Sequence, residues 1–259
     1  MFILESTKKT VIVSVCGKGG VGKTSVSAVI TKILCENKGA KVLAIDADPA
    51  IGLATALGIK VNKTVDSIRK EILETAARKE KKDRQSIVSD LDYEVFDALV
   101  EKGNLAFLAI GRPEDDGCFC KVNSLLKDII SKLAADFDYV IIDGEAGIEQ
   151  VNRRVMETVT HLILVSDASA KGINVIATIN DVAKDLIKYD EVGVILNRLR
   201  SKEEVNKVNL PKNIPLLAAI TDNDELRDFD IAGKSILELT DEDLINSVKG
   251  ALLNINIKY

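Results

Sequence analysis

The sequence predicts one α/β domain over residues 1–259, a single doubly wound, mostly parallel sheet flanked by helices. Three observations predict it. Short Val- and Ile-rich runs alternate with helical patterns along the whole chain. The first run, a glycine-rich loop, a helix and a second run form a βαβ unit, whose crossover makes the two strands parallel. No Pro/Ser-rich linker and no internal repeat divides the chain.

Each element has its own local reason. Val11 to Val15 is β-branched and reads as a buried strand, and the loop Gly17 to Gly22 follows it. Thr24 to Asn37 reads as a helix ended by Gly39, and Lys41 to Ile45 as the second strand, with Asp46 and Asp48 after its end. Val65 to about Leu99 reads as helical, with the charge run Ala77 to Arg84 as a solvated helix end or mobile loop. Asn104 to Ile110 reads as a third strand, and the Pro113- and Gly117-containing segment after it as a loop. Val122 to Ala135 carries an apolar stripe at helical spacing. Further strands are expected at Tyr139 to Ile142, Leu162 to Val165, Val192 to Leu196 and Leu216 to Ile220, with helices at Ile173 to Ile187 and Asp243 to Ile255. Open parallel sheets bind ligands at the C-terminal ends of their strands, where these loops fall.

Composition narrows the function. The 35 Lys+Arg residues against 40 Asp+Glu give a formal charge of −5, so nucleic acid is not an expected partner. Four cysteines are too few for a disulfide scaffold, and the single histidine, His161, weakens His-dependent catalysis. His161 reads as a strand-boundary residue, and Cys16 and Cys35 as buried thiols of the first strand and helix. No signal-like N-terminus and no apolar run of about 18 residues is present, so a cytoplasmic protein is expected. The C-terminal segment has an apolar face but only two lysines and an acidic start, so membrane association is not expected.

Gly17-Lys18-Gly19-Gly20-Val21-Gly22-Lys23-Thr24 fits the phosphate-loop pattern G-x-x-x-x-G-K-[ST], with a strand before it and a helix after it. Glycines let backbone N–H groups converge on phosphate oxygens, and the helix N-terminus adds partial positive charge. Lys23 is expected on the β- and γ-phosphates, the Thr24 hydroxyl on Mg²⁺, and Ser25 beside them. Asp143, ending the strand Tyr139-Val140-Ile141-Ile142, is expected to support Mg²⁺.

With its early lysine, this stretch resembles the deviant P-loop ATPases, the group that contains the MinD and ParA ATPases and the nitrogenase iron protein. The resemblance implies that Lys18 reaches across a homodimer to the partner's nucleotide. It also implies that Asp48 lies near the attacking water and Mg²⁺, that Gly147 senses the γ-phosphate, and that Asn197 with Arg198 reads adenine. Asp46 is read as structural. Ile220-Thr221-Asp222-Asn223 stands where the family usually has Ile-Pro-x-Asp, a departure that leaves adenine contacts there open. ATP/ADP, rather than a guanine nucleotide, is implied by the likeness, and no NKxD pattern is present.

Cys118 and Cys120 form a CxC pair in the loop led by Gly117. Four cysteines placed at random would give about 0.06 such pairs. The pair is either two half-buried thiols or a chelate for a soft metal such as Ni²⁺ or Zn²⁺. Two thiolates do not fill a tetrahedral site, but a two-fold dimer supplies four. GCFC ahead of Asn123, with DYVIIDGEAGIEQVNRR at the second switch, resembles the CooC-type accessory ATPases of carbon monoxide dehydrogenase. That branch implies a homodimer formed on nucleotide or metal binding. It also implies nickel or zinc on Cys118 and Cys120, and carbon monoxide dehydrogenase or acetyl-CoA synthase as client. Gly144 departs from the Asn expected in many members. Arg153 and Arg154 are read as a partner-facing or a solvated face. An iron–sulfur carrier and a MinD-like nucleotide switch are the alternative readings.

Overall fold

Apolar runs become central strands because a parallel sheet buries both of its faces. The computed structural model describes residues 9–78, 84–112, 120–144, 148, 151, 155 and 157–259. The strands are β1 (Val11–Gly17), β2 (Val42–Asp46), β3 (Val100–Lys102), β4 (Leu105–Ala109), β5 (Tyr139–Asp143), β6 (His161–Ser166), β7 (Glu191–Leu199) and β8 (Leu216–Thr221). They form an eight-stranded sheet in the order β3-β4-β2-β5-β1-β6-β7-β8. Every pairing is parallel except the antiparallel β3–β4 edge.

The described helices are α1 (Lys23–Glu36), α2 (Gly52–Leu57), α3 (Val65–Arg78), α4 (Arg84–Asp97), α5 (Cys120–Ala134), α6 (Ala170–Leu186), α7 (Asp224–Ala232) and α8 (Glu242–Asn254). They cover the sheet in two layers. Val13, Val15, Tyr139 and Ile141 point to the face packed by α1, α2 and α8. Cys16, Val140 and Ile142 point to the opposite face, packed by α3, α4, α5 and α6. The period-two alternation of a strand thus feeds two separate cores.

Five elements differ from the sequence reading. The helical stretch after Val65 is two helices, α3 and α4, and it ends just before β3. β3 carries one apolar residue in three and pairs on one side only, so it has no periodicity to read. It turns into β4 through Gly103, whose φ of 66° suits a tight hairpin. The short helices α2 and α7 have no counterpart in the sequence reading. Residues 79–83 of the charge run, and 113–119 with Cys118, lie outside the described residues.

The parallel strands end on one rim of the sheet. That rim holds Gly17, Asp46 and Asp143, with Asp167 and Asn197 beyond them. Its rigidity comes from the fully buried central strands. Ile141→Ala in β5 is expected to cost about 2–5 kcal/mol in a urea unfolding curve. The exposed Lys207→Ala should stay within about 0.5 kcal/mol of the parent.

Candidate active site

The site begins where β1 ends. Gly17 has φ 152°, and a Cβ there would lie 2.0 Å from the Val165 carbonyl oxygen of β6. Only glycine allows the loop to leave the sheet this close to a neighbouring strand. At the far end, Gly22 has φ 91° and precedes α1. A Cβ on Gly22 would meet Asn197 Nδ2 at 2.5 Å. Asn197 is buried and its Nδ2 donates to the Val21 carbonyl at 2.8 Å, so β7 clips the phosphate loop in place. Gly19 and Gly20 are exposed at the loop's crest, with open space around them.

Lys23 is buried beneath this loop, and its Nζ donates to the Lys18 carbonyl at 3.3 Å. Beneath it stand two carboxylates. Asp46 and Asp143 are register partners at the ends of β2 and β5. Ser27, one turn along α1 from Lys23, donates to Asp143 Oδ1 at 2.9 Å. Asp143 Oδ2 is buried with no hydrogen-bond partner among the described residues. Burial pushes the Asp143 carboxyl up to about 6, against the Thr24 and Ser27 hydroxyls and the Lys23 charge, which favour its ionised form. Burial and then the neighbouring Asp143 push Asp46 up to about 7, although backbone N–H groups of Asp48, Leu53 and Ala54 donate to it. Two costly carboxylates and an orphaned oxygen fit a divalent cation that neutralises them. Thr24 and Asp143 would hold Mg²⁺ there, with phosphate oxygens and water completing its coordination.

Asp46 ties the start of α2 to the sheet through Leu53 and Ala54, which fixes the loop between. Asp48 lies on that loop, half-buried, its Oδ1 accepting from Ala50 N at 2.8 Å. Gly52, at the other end, brings α2 against Thr24: a Cβ on it would be 3.6 Å from the Thr24 methyl. The structure therefore gathers Lys23, Thr24, Asp46, Asp48 and Asp143 around one point. Lys18 lies to the side. Its Nζ pairs with Asp167 Oδ2 at 2.9 Å, both side chains about one-third exposed. Ser169 also donates to Asp167, and caps α6 by accepting from Gly172 N at 3.0 Å.

Beside the loop opens a cleft of about 480 Å³. Gly22, Ser25, Asn197 and Arg198 form one wall, and Thr221, Asp222, Arg227 and Ile231 another. Asn197 and Arg198 fall in a register break between β7 and β8, where Arg198 takes φ 58°. Such bulges re-aim side chains at sheet ends. Asn223 is committed elsewhere, accepting from Leu226 N at 2.7 Å and donating to Asp241 at 2.8 Å. Asn223 thus caps α7, with its amide turned to structural partners.

The sequence reading missed Asp167, Ser27 and the α7 wall. Ser27 had a signal, its helical spacing from Lys23. Asp167 had none, since it is 149 residues from Lys18. Gly144 donates to the Val15 carbonyl, and a Cβ there would meet that oxygen at 3.0 Å and Cys16 Sγ at 3.1 Å. A larger residue would therefore press on buried Cys16. Gly147, Arg153 and Arg154 lie outside the described residues, as does the Cys120 side chain at the start of α5.

Five matches with known proteins bear on this chain. The model of the AAA domain family matches residues 9–191. An uncharacterized ATP-binding protein of Methanocaldococcus jannaschii, MJ0685, is 36% identical over 225 residues, 86% of this chain and 88% of its own. The carbon monoxide dehydrogenase accessory protein CooC of Rhodospirillum rubrum is 28% identical over 93% of this chain and 95% of its own. Among solved structures, the septum site-determining protein MinD of Pyrococcus horikoshii with Mg-ADP superposes with a TM-score of 0.64 at 22% identity. It covers 95% of this chain and 96% of its own. A ParA family ATPase of Chlorobium tepidum gives 0.64 at 22%, over 95% and 99%. At those identities the structures share the fold.

The raised carboxyls set a pH dependence. A carboxyl whose folded pKa lies above its unfolded value costs nothing below the unfolded value, and costs progressively more as pH rises through the folded one. In nucleotide-free protein with EDTA, Asp143→Asn should gain Tm relative to the parent as pH rises from about 4 to about 7. Calorimetry across that range checks this. Mg-ADP should close the gap by stabilising only the parent.

Proposed function

Because this chain belongs to the AAA domain family and is a MinD/ParA-type P-loop ATPase, we propose that it is an ATP-driven switch. Its cargo, on this reading, is a soft metal ion, nickel before zinc, delivered to carbon monoxide dehydrogenase or acetyl-CoA synthase. The observation that carries the reading is the Cys118–Cys120 pair in a chain that matches CooC of Rhodospirillum rubrum almost end to end. The pocket chemistry supports the ATPase half. Lys23 and the loop amides bind the phosphates, Thr24 and Asp143 hold Mg²⁺, and Asp48 orients the attacking water. Held there, Mg²⁺ would supply charge neutralisation at the transferred phosphoryl group. Asn197, Arg198 and the α7 wall take the base.

Two subunits close around nucleotide in this scheme, and Lys18 crosses to the partner. The Lys18–Asp167 pair within one protomer must open for that to happen. Closure brings two CxC loops together and supplies four thiolates to one ion. Metal and nucleotide then favour the same dimer state and strengthen one another's binding.

The test is titration of reduced, metal-free protein with Ni²⁺, with and without a non-hydrolysable ATP analogue. One tight ion per dimer, lost in Cys118→Ser/Cys120→Ser while monomer nucleotide affinity persists, is the expected result. A broad visible band after reconstitution with iron and sulfide, with no specific nickel site, would make the protein an iron–sulfur carrier instead. Neither a nickel site nor a cluster would leave a metal-independent nucleotide switch. A second measurement addresses the dimer. Asp167→Asn should favour ATP-dependent dimerisation in analytical ultracentrifugation, severalfold in dimer constant, and Lys18→Ala should abolish it. Equal dimerisation in all three proteins would refute a bridging role for Lys18.

A further inference from the structure

A second recess opens on the same rim of the sheet, at the ends of β2 and β4. It encloses about 420 Å³, within the range of small-ligand pockets. Its position follows from local structure. Thr64 and Ser67 cap the start of α3 reciprocally, Thr64 N donating to Ser67 Oγ and Ser67 N to Thr64 Oγ1. Gly111, at φ 86°, passes so close to this cap that a Cβ would sit 2.7 Å from Thr64 Oγ1. Asp66 N donates to the Ile110 carbonyl at 2.9 Å. The chain leaving β4 and the start of α3 are thereby locked together, and the recess is preformed.

Its lining combines charge with an apolar wall. Arg69 is 8% exposed, and its Nε lies 3.2 Å from Asp66 Oδ1. That ion pair holds a guanidinium in the wall of the recess. Lys70 and exposed Arg112 add two more cations, against the carboxylates of Asp66 and Glu74. Pro49, Ile51 and Leu73 supply the apolar surface. Among the described residues the recess is thus lined by three cations against two carboxylates, together with aliphatic side chains.

Two of those apolar residues belong to the loop that carries Asp48. Ile51 takes φ 53°, a left-handed conformation that a β-branched residue adopts only under constraint. It also precedes α2, whose first N–H groups hold Asp46. Whatever fills the recess touches a strained residue three positions from Asp48.

We propose that this recess binds an organic carboxylate and thereby biases ATP hydrolysis. The headgroup lies against Arg69 and Arg112, and the aliphatic body against Ile51 and Leu73. An arginine fork suits a carboxylate bidentately. The carboxylate belongs either to a free small acid or to an acidic side chain beside an apolar one in a peptide. Occupancy shifts the Ile51 backbone and, through it, the placement of Asp48.

The experiment uses the full chain loaded with Mg-ADP, titrated calorimetrically with hexanoate and, separately, with the blocked dipeptide acetyl-Asp-Leu-amide. Saturable binding of either probe is expected, weakened about tenfold in Arg112→Glu and in Leu73→Gln, with Mg-ADP affinity unchanged in both variants. Tighter hexanoate binding identifies a free acid as the ligand class, and tighter dipeptide binding a protein side chain. The bound probe should also change the steady-state ATPase rate at least about twofold in the parent and not in Arg112→Glu. Absence of saturable binding by both probes, or equal binding by the parent and both variants, would overturn the site. Binding with no effect on rate would overturn its coupling to Asp48. None of these outcomes depends on nickel, so the metal reading stands or falls separately.

Discussion

Two carboxylates at the ends of adjacent parallel strands constrain everything around them. Asp46 and Asp143 face each other in register beneath a buried lysine, and burial alone makes both costly to ionise. The protein offsets that cost in different ways. Asp46 is wrapped by three backbone N–H groups and becomes the anchor of the α2 loop. Asp143 is supported by the Thr24 and Ser27 hydroxyls and keeps one buried oxygen without a partner among the described residues. The first arrangement is complete without ligand, whereas the second leaves an oxygen open to a cation. Structural and functional roles are thus divided between two identical side chains by hydrogen bonding.

The phosphate loop is held by contacts from outside its own strand and helix. β6 lies so close to Gly17 that any side chain there would strike a backbone oxygen. Asn197 of β7 reaches across to hold Val21. Because β7 breaks register at that point, the residue that clips the loop also lines the neighbouring cleft. The loop and the cleft therefore share a wall. Lys18 is the contrasting case. An ion pair about one-third exposed within one protomer is weak enough to exchange for another partner.

Much of the fold was legible because its signals are local. A strand buried on both faces, as at Tyr139–Asp143, announces itself as an apolar run. The sequence Gly-x-x-x-x-Gly-Lys-Thr between a strand and a helix leaves little freedom in where Lys23 and Thr24 go. β3 was illegible because an edge strand of three residues has one side to bury. α7 was illegible because its N-cap, Asn223, is held by Asp241, the N-cap of α8, through a contact that no local pattern shows.

The sequence by itself determined the α/β architecture, the phosphate loop and the existence of a CxC pair, since each depends on residue types at fixed short spacing. Tertiary structure decided which carboxylate stays unsatisfied, that Asp167 restrains Lys18, and that a cationic recess adjoins the Asp48 loop. These depend on strand order and register, which bring Asp46 beside Asp143 and set Arg69 and Ile51 around one recess. Register is settled by how whole strands pack, and so does not show in the neighbours of any one residue.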